Sequence, residues 1–288
     1  MYAVTGITGK VGGALARALL AAGQQVRAVV RDADRAASWR ALGCEVAIAR
    51  MEDEAALSAA FRGATAVFIL PPSEFDPAPG FPEAKAVIKA VATALRLANP
   101  ERVVCLSTIG AHAAETNLLS QRTLMERALT ELSMPVTFLR PGWFLENSAW
   151  DATSARDSGK IPSFLQPLDR GVPMVATEDV GSVAATLLQQ TWNGVRIVEL
   201  EGPRRVSPND IANAFSRALG HPVLAEVVER TQWESLFRSQ GMKHPMPRIR
   251  MLDGFNEGWI CFEGSPDEVI RGQTELDTVI EKLVAEAS

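Results

Sequence analysis

Three glycines near the start of the chain have the spacing of a phosphate-binding turn. Gly6, Gly9 and Gly12 lie in the stretch VTGITGKVGG, after a short apolar run and before apolar residues at helical spacing. Glycine lets a backbone approach a pyrophosphate closely, and a helix N-terminus offers free N–H groups and the positive end of its dipole. Because this turn stands between a strand and a helix, it predicts a nucleotide site.

The residues after the second apolar run indicate which nucleotide would bind. This run ends in the sequence VVRD, where Arg31 comes first and Asp32 second. An arginine at such a strand tip pairs with a 2′-phosphate, whereas an acid binds the ribose 2′-hydroxyl. With Arg35 one helical turn later, we favour NADP as the cofactor. NAD stays open as the alternative through Asp32, which is equally well placed to cap the next helix.

Strand and helix patterns alternate throughout the first half of the chain. Short apolar runs rich in β-branched residues are each followed by residues at helical spacing, and Gly23, Gly43 and Gly63 end three of the helices. This alternation predicts an α/β fold of the Rossmann type, with a doubly wound parallel sheet covered by helices on both faces. The predicted strands are Tyr2–Thr5, Val26–Val30, Cys44–Ala49, Ala66–Leu70, Val103–Leu106 and Val136–Leu139.

The alternation breaks after Gly142. Segments 148–173 and 221–271 are rich in Pro, Gly, Trp and Met and have weak periodicity, while a helix and the strand Arg196–Leu200 lie between them. We therefore expect a smaller, discontinuous C-terminal substrate lobe made of two insertions. The predicted domains are a Rossmann domain of residues 1–147 plus 174–203 and a substrate lobe of residues 148–173 plus 204–288.

The bulk composition excludes several classes of function. A formal net charge of −5 over 288 residues argues against direct binding of nucleic acid or of an anionic membrane. No apolar run approaches the roughly 18 residues that span a bilayer, and no signal peptide precedes the first strand. The three cysteines lie far apart and predict a reducing, cytoplasmic location, and the three histidines match no metal-ligand spacing.

Four segments together resemble one family. TGITGKVGG, AVVRDADR, FLRPGWFLEN (138–147) and ELEGPRRVSPNDIANAFSRALG (199–220) are similar to the NmrA-like group of atypical short-chain dehydrogenases/reductases. The likeness is closest to the bacterial NAD(P)H:quinone oxidoreductase branch of that group, and it covers Tyr2 to about Gly220. It implies a Rossmann domain with a small C-terminal lobe and a nicotinamide site in the cleft between them.

The resemblance also implies binding residues, position by position. Near the nicotinamide it places the strand-end pair Ser107 and Thr108. The loop after the sixth strand would meet both nicotinamide and substrate, with Trp143, Phe144 and Asn147 on the substrate side. The other implied cofactor-binding residues are Thr5, Gly6, Thr8, Gly9, Lys10 and Val11 in the turn, Arg31 at the 2′-phosphate, Leu70 and Pro71 over the pyrophosphate and ribose, and Pro141, Gly142 and Trp143 after the sixth strand.

This chain departs from the family pattern after the third strand. The family often has Gly-Asp there, with the aspartate touching adenine, whereas this sequence has Ala49-Arg50. A guanidinium plane can stack on the adenine face, so Arg50 is the candidate contact at this position.

The tyrosine of ordinary short-chain dehydrogenases is also missing. Those enzymes use Tyr-x-x-x-Lys, in which the tyrosine donates the proton, but the only tyrosine of this chain is Tyr2 in the first strand. The matching positions hold Leu118 and Arg122. Arg122 can donate hydrogen bonds to a ribose, but a guanidinium stays protonated and is no general acid. Tyrosine-dependent carbonyl reduction is therefore excluded.

Four polar residues remain as catalytic candidates: Ser107, Thr108, Arg122 and His112. Ser107, Thr108 and His112 have structural alternatives, because strand-end hydroxyls form turns and a loop histidine usually lies on the surface without a function. The same holds nearby, since Trp143 would equally fill the lobe interface and Asn147 would equally cap the next segment. Glu126 is expected to form an ion pair on its own helix.

Two functions fit these residues. The first is a reductase that passes hydride from NADPH to a small-molecule electrophile such as a quinone, whose oxyanion product is stabilised by conjugation and needs little protein acid. The second is a non-catalytic NAD(P) sensor of the NmrA type that acts through a protein partner. An open apolar pocket beside the nicotinamide would favour the first, and a filled one the second.

Overall fold

A computed structural model describes residues 1–287, in which eight parallel strands form one sheet. The predicted doubly wound α/β fold is confirmed. Each strand of the first half lies within two residues of its predicted bounds. The strands are β1 Tyr2–Thr5, β2 Val26–Val30, β3 Glu45–Ile48, β4 Ala66–Ile69, β5 Arg102–Leu106, β6 Val136–Pro141, β7 Trp143–Phe144, β8 Lys160–Ser163, β9 Met174–Val175, β10 Val195–Glu201, β11 Leu224–Val227 and β12 Ile270–Arg271.

The order of the strands places a crevice above β1 and β4. Across the sheet the order is β3-β2-β1-β4-β5-β6-β10-β12. Strands β2 and β3 are thus added on one side of β1 and the later strands on the other, so the strand order reverses between β1 and β4. Ligands of open α/β sheets bind outside the carboxyl ends of the strands at such a reversal. The glycine turn directly follows β1 at this edge.

Helices cover both faces of the sheet. Alternate residues of a strand are buried under the helices of opposite faces. In β1, for example, Val4 is buried on one face and Ala3 on the other. No helix formed by residues 1–287 has both the length and the apolar character to cross a membrane. The helices are α1 Lys10–Ala21, α2 Ala37–Ala41, α3 Glu54–Phe61, α4 Pro82–Ala98, α5 Ser120–Thr130, α6 Ala152–Ser158, α7 Thr177–Gln189, α8 Pro208–Leu219, α9 Trp233–Ser239, α10 Met246–Glu257 and α11 Leu276–Glu286.

A separate apolar cluster lies in the C-terminal half. It is built around large buried side chains such as Phe215, Trp233 and Phe237. Strands β8 and β11 pair in parallel, which joins two stretches of chain that are distant in sequence. The division into the two predicted domains stays a prediction.

The N-cap of α3 allows a stability prediction. Asp53 accepts a hydrogen bond from the Ala56 amide at 2.9 Å, as its position before the helix predicts. Asp53→Ala should lower the free energy of unfolding by about 1 kcal/mol, because an N-terminal amide of the helix loses its acceptor. Urea denaturation measures this loss. Asp53→Asn keeps a capping oxygen and is the control; equal losses in the two variants would contradict a role for the cap.

Candidate nucleotide and substrate site

The glycine turn joins β1 to α1 and leaves one side of its backbone open. Gly6 has a φ of +65°, a conformation that L side chains rarely adopt. A Cβ on Gly12 would lie 2.3 Å from the Gly6 carbonyl oxygen, so α1 and the turn are packed too closely for any side chain at this position. A Cβ on Gly9 would meet only that oxygen, at 3.3 Å. The outer side of Gly9 therefore has room for a ligand.

The first turn of α1 presents an uncompensated positive end. Gly9 is the N-cap, supplies no side chain, and is followed by no acidic residue in the first turn. Thr8, Gly9 and Lys10 are exposed, whereas the Val11 side chain is buried in the core. Free amides, an uncompensated dipole and an exposed lysine fit a pyrophosphate.

Thr5 ties the glycine turn to the end of β4. Its hydroxyl donates to the Phe68 carbonyl at 3.1 Å and accepts from the Leu70 amide at 2.8 Å. The residue is only 1% exposed, so its side chain positions the predicted ledge of Leu70 and buried Pro71. Leu70 packs directly on the turn, since a Cβ on Gly6 would lie 2.9 Å from the Leu70 Cβ.

The tip of β2 carries two exposed arginines without an ion-pair partner. For Arg31 and Arg35, no carboxylate of residues 1–287 lies within ion-pair distance. Asp32 is occupied locally, because its Oδ1 accepts the Asp34 amide at 3.0 Å and starts the 3₁₀ turn at Asp34–Ala36. An unpaired guanidinium beside a locally bonded carboxylate favours a 2′-phosphate over a bare ribose hydroxyl.

Arg50 lies next to this tip. The Ala49 amide donates to the Val30 carbonyl at 2.9 Å, which extends the pairing of β3 with β2 and brings Arg50 to the tip of β2. Its side chain is exposed. The adenine end of the predicted site therefore has a third guanidinium at the same edge of the sheet, after those of Arg31 and Arg35.

Arg122 holds the loop that follows β4. Its guanidinium donates to the Pro71 carbonyl at 3.0 Å, the Pro72 carbonyl at 3.2 Å and the Ser73 hydroxyl at 2.9 Å. Burial lowers the pKa of Arg122 to about 10, so the group stays charged at neutral pH. These donors are taken by the protein itself, and Arg122 is placed to shape the ledge over the crevice.

The position of the missing tyrosine is filled by an apolar side chain. Leu118 is buried, and its amide donates to the Pro247 carbonyl at 2.8 Å. This bond brings the first turn of α10 to the same edge of the sheet. Only Leu119 separates Leu118 from the start of α5, so Arg122 follows Leu118 by about one helical turn. No proton donor replaces the tyrosine at this point of the described chain.

The two hydroxyls after β5 have different surroundings. Ser107 is buried and donates to Glu126 Oε1 at 2.5 Å. Thr108 is half-buried, and its hydroxyl bonds to no residue within the range 1–287. Of the pair, only Thr108 keeps a hydroxyl available for a ligand.

Glu126 belongs to a buried network that the sequence did not reveal. Its carboxylate accepts two hydrogen bonds from Arg140 on β6, at 2.9 and 2.7 Å. Our expectation of an ion pair on its own helix is wrong, because Glu126 points inward toward β6. Burial alone would lower the pKa of Arg140, but hydrogen bonds and charge from Glu126 and Glu263 raise it above its usual range. The network fixes Ser107 rather than exposing it.

His112 lies in the loop after β5, beside Glu263. Its Nδ1 is 3.9 Å from a carboxylate oxygen of Glu263, and it lines a polar cavity of about 300 Å³ beside α5. That cavity is also lined by Glu126 and Arg140 but by none of the residues assigned to the cofactor. This placement favours the structural alternative for His112.

The loop after β6 crosses from the sheet to the C-terminal half. A Cβ on Gly142 would lie 2.5 Å from the Pro173 carbonyl oxygen, so only glycine allows this crossing. The Pro141 carbonyl accepts the Ile109 amide at 2.8 Å. Beyond it, the Trp143 ring meets Phe255 edge to face, with centroids 5.2 Å apart. Trp143 thus packs against the apolar cluster of the C-terminal half.

Of the other residues in this loop, some have a structural role and one has a side chain without a partner among the described residues. Phe144 packs against the sheet core, whereas Asn147 is half-buried and its side chain bonds to no described residue. Between them, Glu146 caps α7 by accepting the Thr177 amide at 2.9 Å and its hydroxyl at 2.5 Å. We did not predict Glu146, because nothing in the sequence shows that residue 177 starts a helix beside it.

The crevice, the open turn and the arginines at the tip of β2 define a dinucleotide-binding protein of the Rossmann class. Comparison with protein families gives the particular group. The model of the NmrA-like family matches residues 2–252, and the chain belongs to that family. The resemblance stated from the sequence is confirmed.

Two characterised relatives are reductases by name. An NAD(P)H azoreductase of Xenophilus azovorans is 28% identical over 282 residues, which cover 97% of this chain and 91% of that protein. A (4-alkanoyl-5-oxo-2,5-dihydrofuran-3-yl)methyl phosphate reductase of Streptomyces griseus is 31% identical over 228 residues, covering 78% and 76%.

Solved structures share the fold over nearly the full length. An NADPH-dependent quinone oxidoreductase of Escherichia coli, solved with NADPH, superimposes with a TM-score of 0.81 at 21% identity, covering 98% of this chain and 99% of that one. A triphenylmethane reductase of Citrobacter, solved with NADP(H), gives a TM-score of 0.76 at 21% identity, covering 100% and 99%.

Proposed function

We propose that this protein is an NADPH-dependent oxidoreductase that passes hydride to a quinone or a similar small-molecule electrophile. The observation that carries the proposal is the open glycine turn together with an unpaired Arg31 at the tip of β2. Relatives named as an NAD(P)H azoreductase and as a quinone oxidoreductase support the reaction class.

The cofactor is NADP(H), with NAD the weaker alternative. When bound, its nicotinamide supplies the hydride. The turn at Gly9 and the N-terminus of α1 would hold the pyrophosphate, Arg31 and Arg35 would hold the 2′-phosphate, and Arg50 would bind the adenine. Leu70 and Pro71 would support the ribose.

The substrate end needs no protein acid. Leu118 and Trp143 provide apolar walls, and Thr108 offers the free hydroxyl at the end of β5. Reduction of a quinone gives an oxyanion that is stabilised by conjugation and takes its proton from water, so the chain mainly positions the acceptor. Burial raises the pKa of the Cys105 thiol to about 12, which keeps it protonated and outside this chemistry.

The sensor alternative is not favoured, because the relatives are named for reactions they catalyse.

We place the substrate in a cleft between residues 1–147 plus 174–203 and residues 148–173 plus 204–288. Free cysteines, two of them buried, support a reducing cytoplasmic location.

The missing tyrosine gives a prediction about substrate choice. The protein should oxidise NADPH with quinones and should show no measurable turnover of simple ketones or, with NADP⁺, of alcohols. An alkoxide, unlike a quinol oxyanion, needs a proton in the transition state, and Leu118 cannot give one. Stopped-flow NADPH absorbance measures both, as a loss with quinones or ketones and as a gain with alcohols and NADP⁺. Steady alcohol oxidation would show that another group transfers protons; no turnover of any quinone, with tight nucleotide binding, would restore the sensor.

A further inference from the structure

Arg248 is a half-buried cation without an acceptor of matching strength. It lies in the first turn of α10, and its guanidinium stacks 4.4 Å above the Phe237 ring. The rings of Trp150 and Phe164 lie 5.9 and 6.0 Å away. The one side chain that accepts from it within residues 1–287 is Met242, whose thioether sulfur is 3.9 Å away.

Other buried or half-buried arginines of this chain are matched with oxygen. Arg140 bonds to the carboxylates of Glu126 and Glu263, and Arg122 bonds to two carbonyls and a hydroxyl. A guanidinium has five N–H donors, and a thioether is a weak acceptor. Burial lowers the pKa of Arg248, with no carboxylate to oppose it. The N–H donors of Arg248 are thus surrounded by aromatic rings and have no oxygen acceptor in the described chain, so they can bind an external anion.

Three contacts bring Arg248 to the substrate end of the crevice. Its neighbour Pro247 accepts the amide of Leu118, which stands where a short-chain dehydrogenase has its tyrosine. Asp76, in the loop after β4, accepts the amides of Lys243 and His244 at 2.8 and 2.6 Å. These bonds join the loop over the crevice to the segment that leads into α10.

Trp150, one of the rings around Arg248, pairs with a second exposed ring, that of Phe75. Trp150 is 67% exposed and Phe75 is 54% exposed, and they meet edge to face with centroids 6.4 Å apart. Exposed aromatic faces next to an unpaired guanidinium form a surface for a flat ring that bears a negative charge. Asp76 forms no ion pair with Arg248, and its carboxylate accepts the two amides instead.

We propose that Arg248, with Trp150 and Phe75, binds an oxyanion substituent on an aromatic electron acceptor and so selects anionic substrates. The substituent is a carboxylate, sulfonate or phosphate, which all offer oxygens to the guanidinium fork. Phe237 and Phe164 hold the guanidinium plane from behind. This inference rests on the proposed reductase function for its biological meaning, but the anion site can be measured without turnover.

The direct test is binding of naphthalene-2-sulfonate, measured by calorimetry with saturating NADP⁺ so that the glycine turn is occupied. Wild type should bind it at least tenfold more tightly than neutral 2-naphthol. Arg248→Gln should lose about tenfold of the sulfonate affinity, and Arg248→Lys should lose less because it keeps the charge. The matched control is Arg250→Gln on the same helix, whose arginine pairs with Asp253 at 3.4 Å; its sulfonate affinity should equal that of wild type.

A second readout is the ratio of kcat/KM for 1,2-naphthoquinone-4-sulfonate to that for 1,2-naphthoquinone, which should fall about tenfold in Arg248→Gln. Equal affinity of wild type for the sulfonate and 2-naphthol overturns the proposal, even where the variants fold poorly. Equal sulfonate affinity in wild type and a folded Arg248→Gln overturns it as well. Arg248-dependent sulfonate binding without any quinone turnover would leave the anion site standing and remove the reductase function.

Discussion

Gly9→Val should abolish measurable NADPH binding and leave a folded protein. Gly9 has an extended backbone, with φ −92° and ψ 174°, which valine adopts readily. A Cβ there would meet only the Gly6 carbonyl oxygen, at 3.3 Å, so the protein accommodates it with a small shift. The valine methyl groups would instead occupy the space through which a pyrophosphate reaches the turn. Calorimetric titration with NADPH and thermal unfolding measure the two halves of this prediction.

Gly12→Val is the matched control within the same turn. Its Cβ would lie 2.3 Å from the Gly6 carbonyl oxygen, so this variant should lose stability and not only binding. Unchanged NADPH affinity in Gly9→Val would show that the turn is structural. Loss of folding in both variants would show that Gly9 serves the packing of α1.

Arg31→Ala should weaken NADPH binding ten- to a hundredfold and change NADH binding little. Hydrogen bonds to charged groups contribute roughly 1.5–3 kcal/mol each, and the 2′-phosphate is the group that NADH lacks. Arg31 is exposed and has no carboxylate partner within residues 1–287, so its removal leaves no unpaired charge in the protein. The measurement is the dissociation constant of each cofactor for wild type and variant.

Asp32→Ala separates the two cofactor assignments. Asp32 bonds to the Asp34 amide, so its loss should affect only the local turn and leave NADH affinity unchanged. Preference of the wild type for NADH, together with weaker NADH binding in Asp32→Ala, would replace NADP by NAD. An equal effect of Arg31→Ala on both cofactors would remove the phosphate contact.

The sheet could be predicted because its strands are short, buried and apolar. β4 is an unbroken apolar run, and β2 is an apolar run interrupted only by Arg27, which is the pattern of a strand covered on both faces. β12 could not be predicted, since it consists of Ile270 and Arg271, both exposed at the sheet edge. β8 and β11 pair with each other outside the main sheet, and their partly exposed sequences carry no strand signal of their own.

The candidate site could be predicted only where a local backbone shape determines it. The glycine triplet reports such a shape, because Gly6 and Gly12 are required by their own turn. The bond from Arg122 to the loop after β4 and the pair of Glu126 with Arg140 arise from contacts between distant segments. The same is true of Arg248, whose isolation is visible only once the rings around it are assembled.

The strand order also sets a sequence of events during synthesis. β1 to β6 are contiguous in the chain and adjacent in the sheet, so most of the sheet can form from the first half of the polypeptide as it leaves the ribosome. The outer edge of β6 then waits for β10, and β8 waits for β11. Unpaired edges recruit other chains. A nascent chain that ends between residues 163 and 195 would therefore expose the edge of β6 and the whole of strand β8 to pairing with other chains.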